Sequence, residues 1–142
     1  MQIADVDRPY ALKSGSQFMI VESSGFTGTY LGEEIPETFG GIGNSRHGIG
    51  LFYGGCKSTP VHIMTLRYLI YGTSAPNSFI EVVADPNEPG GRGIIMTDCE
   101  RTPLIHPALG GRAYINGDGT FACTTTPVEL KTWGQIKALY RN

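Results

Sequence analysis

The sequence predicts an all-β protein: a β-sandwich, jelly-roll-like, with two long irregular connectors. Three observations carry this. Nine or ten short runs rich in β-branched and aromatic residues recur at spacings near ten residues, with turn residues between them. No segment holds the 3.6-residue apolar period of a convincing amphipathic helix. Glycine, at 20 of 142 residues, is about twice its usual share. It interrupts apolar runs without forming a low-complexity tract, which argues for turns and against disorder.

Length fits one domain over residues 1–142. Residues 1–16 are polar, broken by Pro9 and Gly15, and read as an irregular N-terminal arm that ends in a short strand near Tyr10–Leu12. Gln17–Glu22 (QFMIVE) is a β-type run, Ser23-Ser24-Gly25 a turn, and Thr27–Leu31 a returning strand, so these predict a first hairpin. Gly32–Gly48 shows no period of either kind and reads as the first long connector. Ile49–Tyr53 is a strand that ends at Gly54-Gly55.

Val61–Tyr71 (VHIMTLRYLIY) is the longest apolar segment. Both of its alternate sets are mostly apolar, which predicts a central strand covered on both faces. An eleven-residue helix competes, but the β-branched and aromatic content favours a strand. Through the link GTSAPN it is expected to pair with Ser78–Ala84 (SFIEVVA), where Glu81 shares the face of Phe79 and should bring that face to water. Asp85–Arg92 holds two prolines and two glycines and is a loop; Gly93–Thr97 is a strand.

Glu100–Gly110 is the second connector, in which Pro103 and Pro107 oppose both a helix and a central strand. Gly111–Ile115 and Thr120–Thr124 flank Asn116–Gly119 as a glycine-turn hairpin. Val128–Thr132 and Gln135–Arg141 close the chain, the last as a strand or two helical turns, with a strand favoured. Trp133 between them is read as a core or lid residue.

Charge narrows the function classes. Net charge is −2, and Lys and Arg are scattered, so no basic surface for nucleic acid is expected. Charged residues are only 17% of the chain, against roughly 25% in soluble domains, and weakly charged surfaces tolerate association. The first thirty residues carry Asp5, Asp7, Arg8 and Lys13 without a long apolar core, so no secretory signal is expected there. No apolar window reaches membrane-helix length, and no membrane partner is expected. Cys56, Cys99 and Cys123 lack CxxC spacing and are expected to be free thiols in a protein made in the cytoplasm; a Cys99–Cys123 disulfide is the alternative.

No high-specificity catalytic motif is present. Cys56 and His62 could form a nucleophile–base pair, yet no orienting Asp or Asn accompanies them. His47, His62 and His106 show no paired ligand spacing, so neither a metal nor a cofactor is expected. Gly40-Gly41-Ile42-Gly43-Asn44 lacks the third glycine of a dinucleotide fingerprint, where Arg46 stands.

Tyr71-Gly72-Thr73-Ser74 resembles the strand-end H/Y-G-[ST] element of ADP-ribosyltransferases, and Gly91-Arg92-Gly93-Ile94-Ile95 is similar to their following G-[KR]-G-[IV]-[YF] strand. The likeness covers about ten residues. It would imply an NAD-using enzyme or toxin domain with Tyr71 in the histidine place, Gly72 beside it and Glu129 as the catalytic glutamate. A carbohydrate-binding module using some of the seven tyrosines is a further alternative.

The leading expectation is a structural protein. Ile35, Phe39, Ile42, Leu104, Ile105 and Leu109 lie on stretches too broken by glycine and proline to build a core of their own. Burial against neighbouring subunits, in a homo-oligomer or larger assembly, would cover them. Composition suits a bacteriophage virion component, such as a capsid-decorating or tail-associated protein.

Overall fold

The computed structural model describes residues 3–5, 11–100 and 104–117. The chain is all-β, with antiparallel strands and no helix among the described residues. Ten strands are formed: β1 (Ile3–Asp5), β2 (Lys13–Glu22), β3 (Gly28–Glu34), β4 (Gly40–Asn44), β5 (Gly48–Lys57), β6 (Thr65–Ile70), β7 (Ser78–Val83), β8 (Ile94–Asp98), β9 (Ile105–Gly110) and β10 (Arg112–Ile115). The sequence expectations on Trp133, Glu129, Cys123 and the last three runs lie outside the described residues.

β2 organises the large sheet. Its first half pairs with β5 on one edge and β8 on the other; its second half, Met19–Glu22, pairs with β7. β9 lies beside β8, and β10 beside β7. The full order runs β1-β9-β8-β2-β5-β4, with β10-β7 branching from β2. Residues 84–93 loop out between β7 and β8 and wrap two carboxylates. Asp85 accepts hydrogen bonds from Gln17 Nε2 (2.6 Å) and the amide of Asn87 (2.8 Å). Glu88 accepts from the amide of Arg92 (2.7 Å) and pairs with its guanidinium (2.6 Å).

Phe18, Ile20, Ile49, Leu51, Tyr53, Ile80, Val82, Ile94 and Met96 form the core. They occupy alternate positions of β2, β5, β7 and β8, which places one face of the sheet inward. Leu66 and Tyr68 from the β3–β6 ribbon, and Phe26, Ile35, Phe39, Val61, Ile63 and Met64 from its flanks, pack on that face. Polar contacts pin the ribbon. Tyr68 donates to Glu22 Oε1 (2.9 Å), and Tyr30 to Glu33 Oε2 (2.8 Å). Arg46 pairs with Glu22 and lies 5.3 Å from the Tyr30 ring centre.

Several expectations are corrected. Val61–Tyr71 is not a central strand: only Thr65–Ile70 is extended, and it pairs with β3 in a separate two-stranded sheet. Leu69, Ile70 and Tyr71 are exposed. Its expected partner, Ser78–Val83, joins β2 and β10 instead. β2 and β3 do not form a hairpin, because β3 turns to β6. Gly32–Gly48 is not an irregular connector: β3 extends to Glu34, and β4 forms a hairpin with β5. Glycines in β4 give no side-chain alternation, but their backbones pair. Glu100–Gly110 contains β9, with Pro107 opposite Ile95. A proline removes only one ladder donor, so five other residues still pair the strand. In β7, Phe79 and Glu81 do share a half-exposed face, where Arg112 Nε donates to Glu81 (2.7 Å).

The cysteine expectation is also corrected. Cys56 and Cys99 are joined in a disulfide, with Cα atoms 5.8 Å apart. β5 and β8 flank β2 and converge where it begins: Lys13 has Lys57 and Asp98 as register partners, each adjacent to one of these cysteines.

Candidate functional site

The outward face of the large sheet has its own composition. Inward positions of β4 and β5 are set by Leu51 and Tyr53, which are buried, and by Gly41, whose missing side chain would meet Leu51, Ile35 and Ile49. Alternation then turns Ile42 and Phe52 outward. Strand registers extend this across five strands. One transverse row reads Ile42, Gly50, Gln17, Ile95, Pro107; the next reads Gly40, Phe52, Gly15, Thr97, Ile105. Leu109 follows Ile105 at an even spacing on β9 and so shares the face.

Glycines in the middle of both rows leave a shallow open groove of about 240 Å³, lined by Gly15, Gln17, Gly50, Phe52, Ile95 and Ile105. Gly15 sits at a bulge in β2, where a Cβ would stand 2.7 Å from the Leu51 carbonyl oxygen. Ile42, Phe52 and Leu109 are 70, 57 and 66% exposed. Ile42 and Phe52 form one exposed apolar patch on β4–β5, and Ile105 and Leu109 a second on β9, both on the same sheet face.

The six residues expected at an interface divide. Ile42, Ile105 and Leu109 share this face, with three strands between Ile42 on β4 and the other two on β9, and exposed Leu104 immediately precedes β9. Ile35 and Phe39 pack on the chain's own core, where Phe39 stacks on Tyr53 with centroids 4.8 Å apart. Phe52 was missed by sequence reasoning, because in IGLFY it reads as one more core residue beside Tyr53.

β4 adds a second feature. It ends the sheet order, all five of its residues are exposed, and it carries neither charge nor proline. Among the described residues its outer edge has no strand partner. Such an edge offers unprotected backbone donors and acceptors to another strand.

The inner face holds a buried polar group. The β2 bulge shifts register between Lys13 and Gly15 and turns Lys13 inward. There Lys13, fully buried, forms an ion pair with buried Asp5. Asp98 is also fully buried; its Oδ2 meets His106 Nε2 at 2.8 Å, and its Oδ1 accepts from the amides of Leu104 (3.0 Å) and Glu100 (3.2 Å). These contacts, the His106 hydrogen bond first, hold the Asp98 carboxyl down at about 2.

The other sequence candidates are dispersed. Cys56 is consumed in the disulfide, and His62 is exposed and bonded to Thr65 Oγ1 (3.1 Å). His47 lies in the 45–47 turn with Asn44. No group of three or more His, Cys, Asp or Glu among the described residues could hold a metal ion. No helix among them is long and apolar enough to cross a membrane. Tyr71 and Gly72 follow β6, whereas Gly91–Ile95 leads into β8 in the other sheet. Of the five described tyrosines only Tyr71 is exposed; Tyr30, Tyr53, Tyr68 and Tyr114 are wholly or partly buried.

Comparison with known protein families, with curated proteins and with solved structures yields no match to this chain.

Proposed function

We propose that this chain is a structural assembly protein that docks a neighbouring subunit onto the outward face of its large sheet. The single observation behind this reading is that Ile42 and Phe52 on β4–β5 and Ile105 and Leu109 on β9 are all exposed on the same grooved face of the sheet. The bare edge of β4 supports it, since strand pairing there would add backbone hydrogen bonds to the apolar contact. We read the fold as a β-sandwich in which the β3–β6 ribbon and its flanks form the lesser layer. Low charge and high glycine content fit a subunit of a larger particle, and a phage virion component is the setting this reading favours.

Light scattering coupled to size exclusion tests it. The wild-type chain is expected to run as a multimer, and Phe52→Asp or Leu109→Asp to shift it toward monomer. Each lost side chain should cost about 1.5–3 kcal/mol of contact, which is roughly tenfold or more in the dissociation constant. Both residues point away from the core, so the circular dichroism spectrum should not change. A monomer whose mass ignores both substitutions refutes the proposal.

A further inference from the structure

Four neighbouring strands each place one ionisable side chain on the inner face: Asp5 from β1, His106 from β9, Asp98 from β8 and Lys13 from β2. Lys13 and Asp98 are register partners, so their side chains stand side by side. Asp5 lies opposite Ala108, on the same inward phase as His106. Lysine is almost never fully buried without a partner. Here its Nζ lies against Asp5 Oδ2, with side-chain exposures of 0 and 1%.

Burial disfavours both charges of this pair. Transfer of one proton from the ammonium to the carboxylate would leave an amine against a carboxylic acid, with water excluded. An amine touching a carboxyl oxygen stands about 3–3.5 Å from the carboxyl carbon, the separation of a near-attack pair.

We propose that Asp5 and Lys13 condense into an intramolecular isopeptide bond. The Lys13 Nζ lone pair adds to Asp5 Cγ, and the nitrogen gives up a proton. The Cγ–OH bond then breaks, the hydroxyl takes a proton and leaves as water, and a Cγ–Nζ amide remains. The net change is ion pair to amide plus one water, so no oxidant, reductant or activated co-reactant is needed. Asp98 holds the amine in place beside Cγ, and the proton released by nitrogen passes to the leaving oxygen. Asp98 is the nearest carboxylate in register with Lys13, and two amides and His106 fix its position. The bond would tie the three-residue strand β1 to β2, at the end of the sheet where Cys56–Cys99 already joins β5 to the residue after β8.

Intact mass spectrometry of the full-length folded chain, denatured and reduced before injection, decides the matter. The expected mass is one water below that of the linear sequence, and tandem spectra should place the loss on a branched peptide joining Asp5 and Lys13. Asp5→Asn should shed ammonia in place of water, a signature that a merely structural ion pair cannot produce. Asp98→Ala keeps both reacting groups, and its bonded fraction should fall at least tenfold. An unshifted mass, with Asp5 and Lys13 recovered on separate unbranched peptides, means an ion pair only and overturns the proposal. A one-water loss that maps elsewhere overturns it as well.

Discussion

Breaking the Cys56–Cys99 bond gives a stability change whose size follows from the structure. The two cysteines are 43 residues apart in sequence. In the chain-entropy treatment, closing such a loop removes about 13 cal/mol/K from the unfolded state, or about 4 kcal/mol at 25 °C. With a urea slope of about 2 kcal/mol/M, the unfolding midpoint should fall by about 2 M. The comparison is wild type against the double variant Cys56→Ser, Cys99→Ser, both unfolded in urea without reductant and followed by far-ultraviolet circular dichroism. Replacing both residues avoids leaving one thiol to react. Reduced wild type should coincide with the double variant. Peptide mapping without reduction should recover Cys56 and Cys99 on one linked species. Midpoints agreeing within a few tenths of a molar, or either cysteine recovered as a free thiol, would refute the reasoning.

Three further outcomes are expected, from the inner face, the 84–93 loop and the outward face. Because the folded Asp98 carboxyl is held near 2, below its unfolded value of about 3.9, its contribution is complete above pH 4. It is lost as pH falls from 4 to 2, so urea midpoints measured across that window should drop in wild type and flatten in Asp98→Asn. Gly48 has φ +109°, and a Cβ there would stand 2.2 Å from Asp85 Oδ1. Gly48→Ala should therefore destabilise by about 1–3 kcal/mol from backbone strain before the clash is counted. Gly50→Ala, with no atom within 4 Å of its added Cβ, should stay within about 0.5 kcal/mol in the same urea titration.

Strand existence was legible where alternation was strong. SFIEVVA, QFMIVE and GIIMT all contain strands, and the outward placement of Glu81 follows from simple parity. Pairing was not legible, because it depends on which faces meet over long separations. The segments 61–71 and 78–84 are joined by a short link, yet their strands enter different sheets. A run apolar on both sides cannot reveal which side stays in water, and Leu69 and Ile70 stay there. β4 was hidden because glycine has no side chain to alternate. Lys13 was hidden for a different reason: continued strand parity from Gln17 points it outward, and only the bulge turns it in. At the candidate site, Ile42, Ile105 and Leu109 stood out as apolar residues without an evident core, whereas Phe52 could be found only by seeing which face Leu51 and Tyr53 occupy.

The registers also set a timetable for the nascent chain. Residues 3–5 complete their ladder only with residues 108–110, and the strand at 13–22 needs partners from 78–83 and 94–98. A ribosome that has released the first sixty residues has delivered the 40–57 hairpin but neither of those partners. Closure of the sheet must therefore wait until residues 108–110 have emerged. Such distant pairings belong to the slow, millisecond-to-second class of folding, and the early strands spend that interval with their apolar faces open to capture by a chaperone or by another nascent copy.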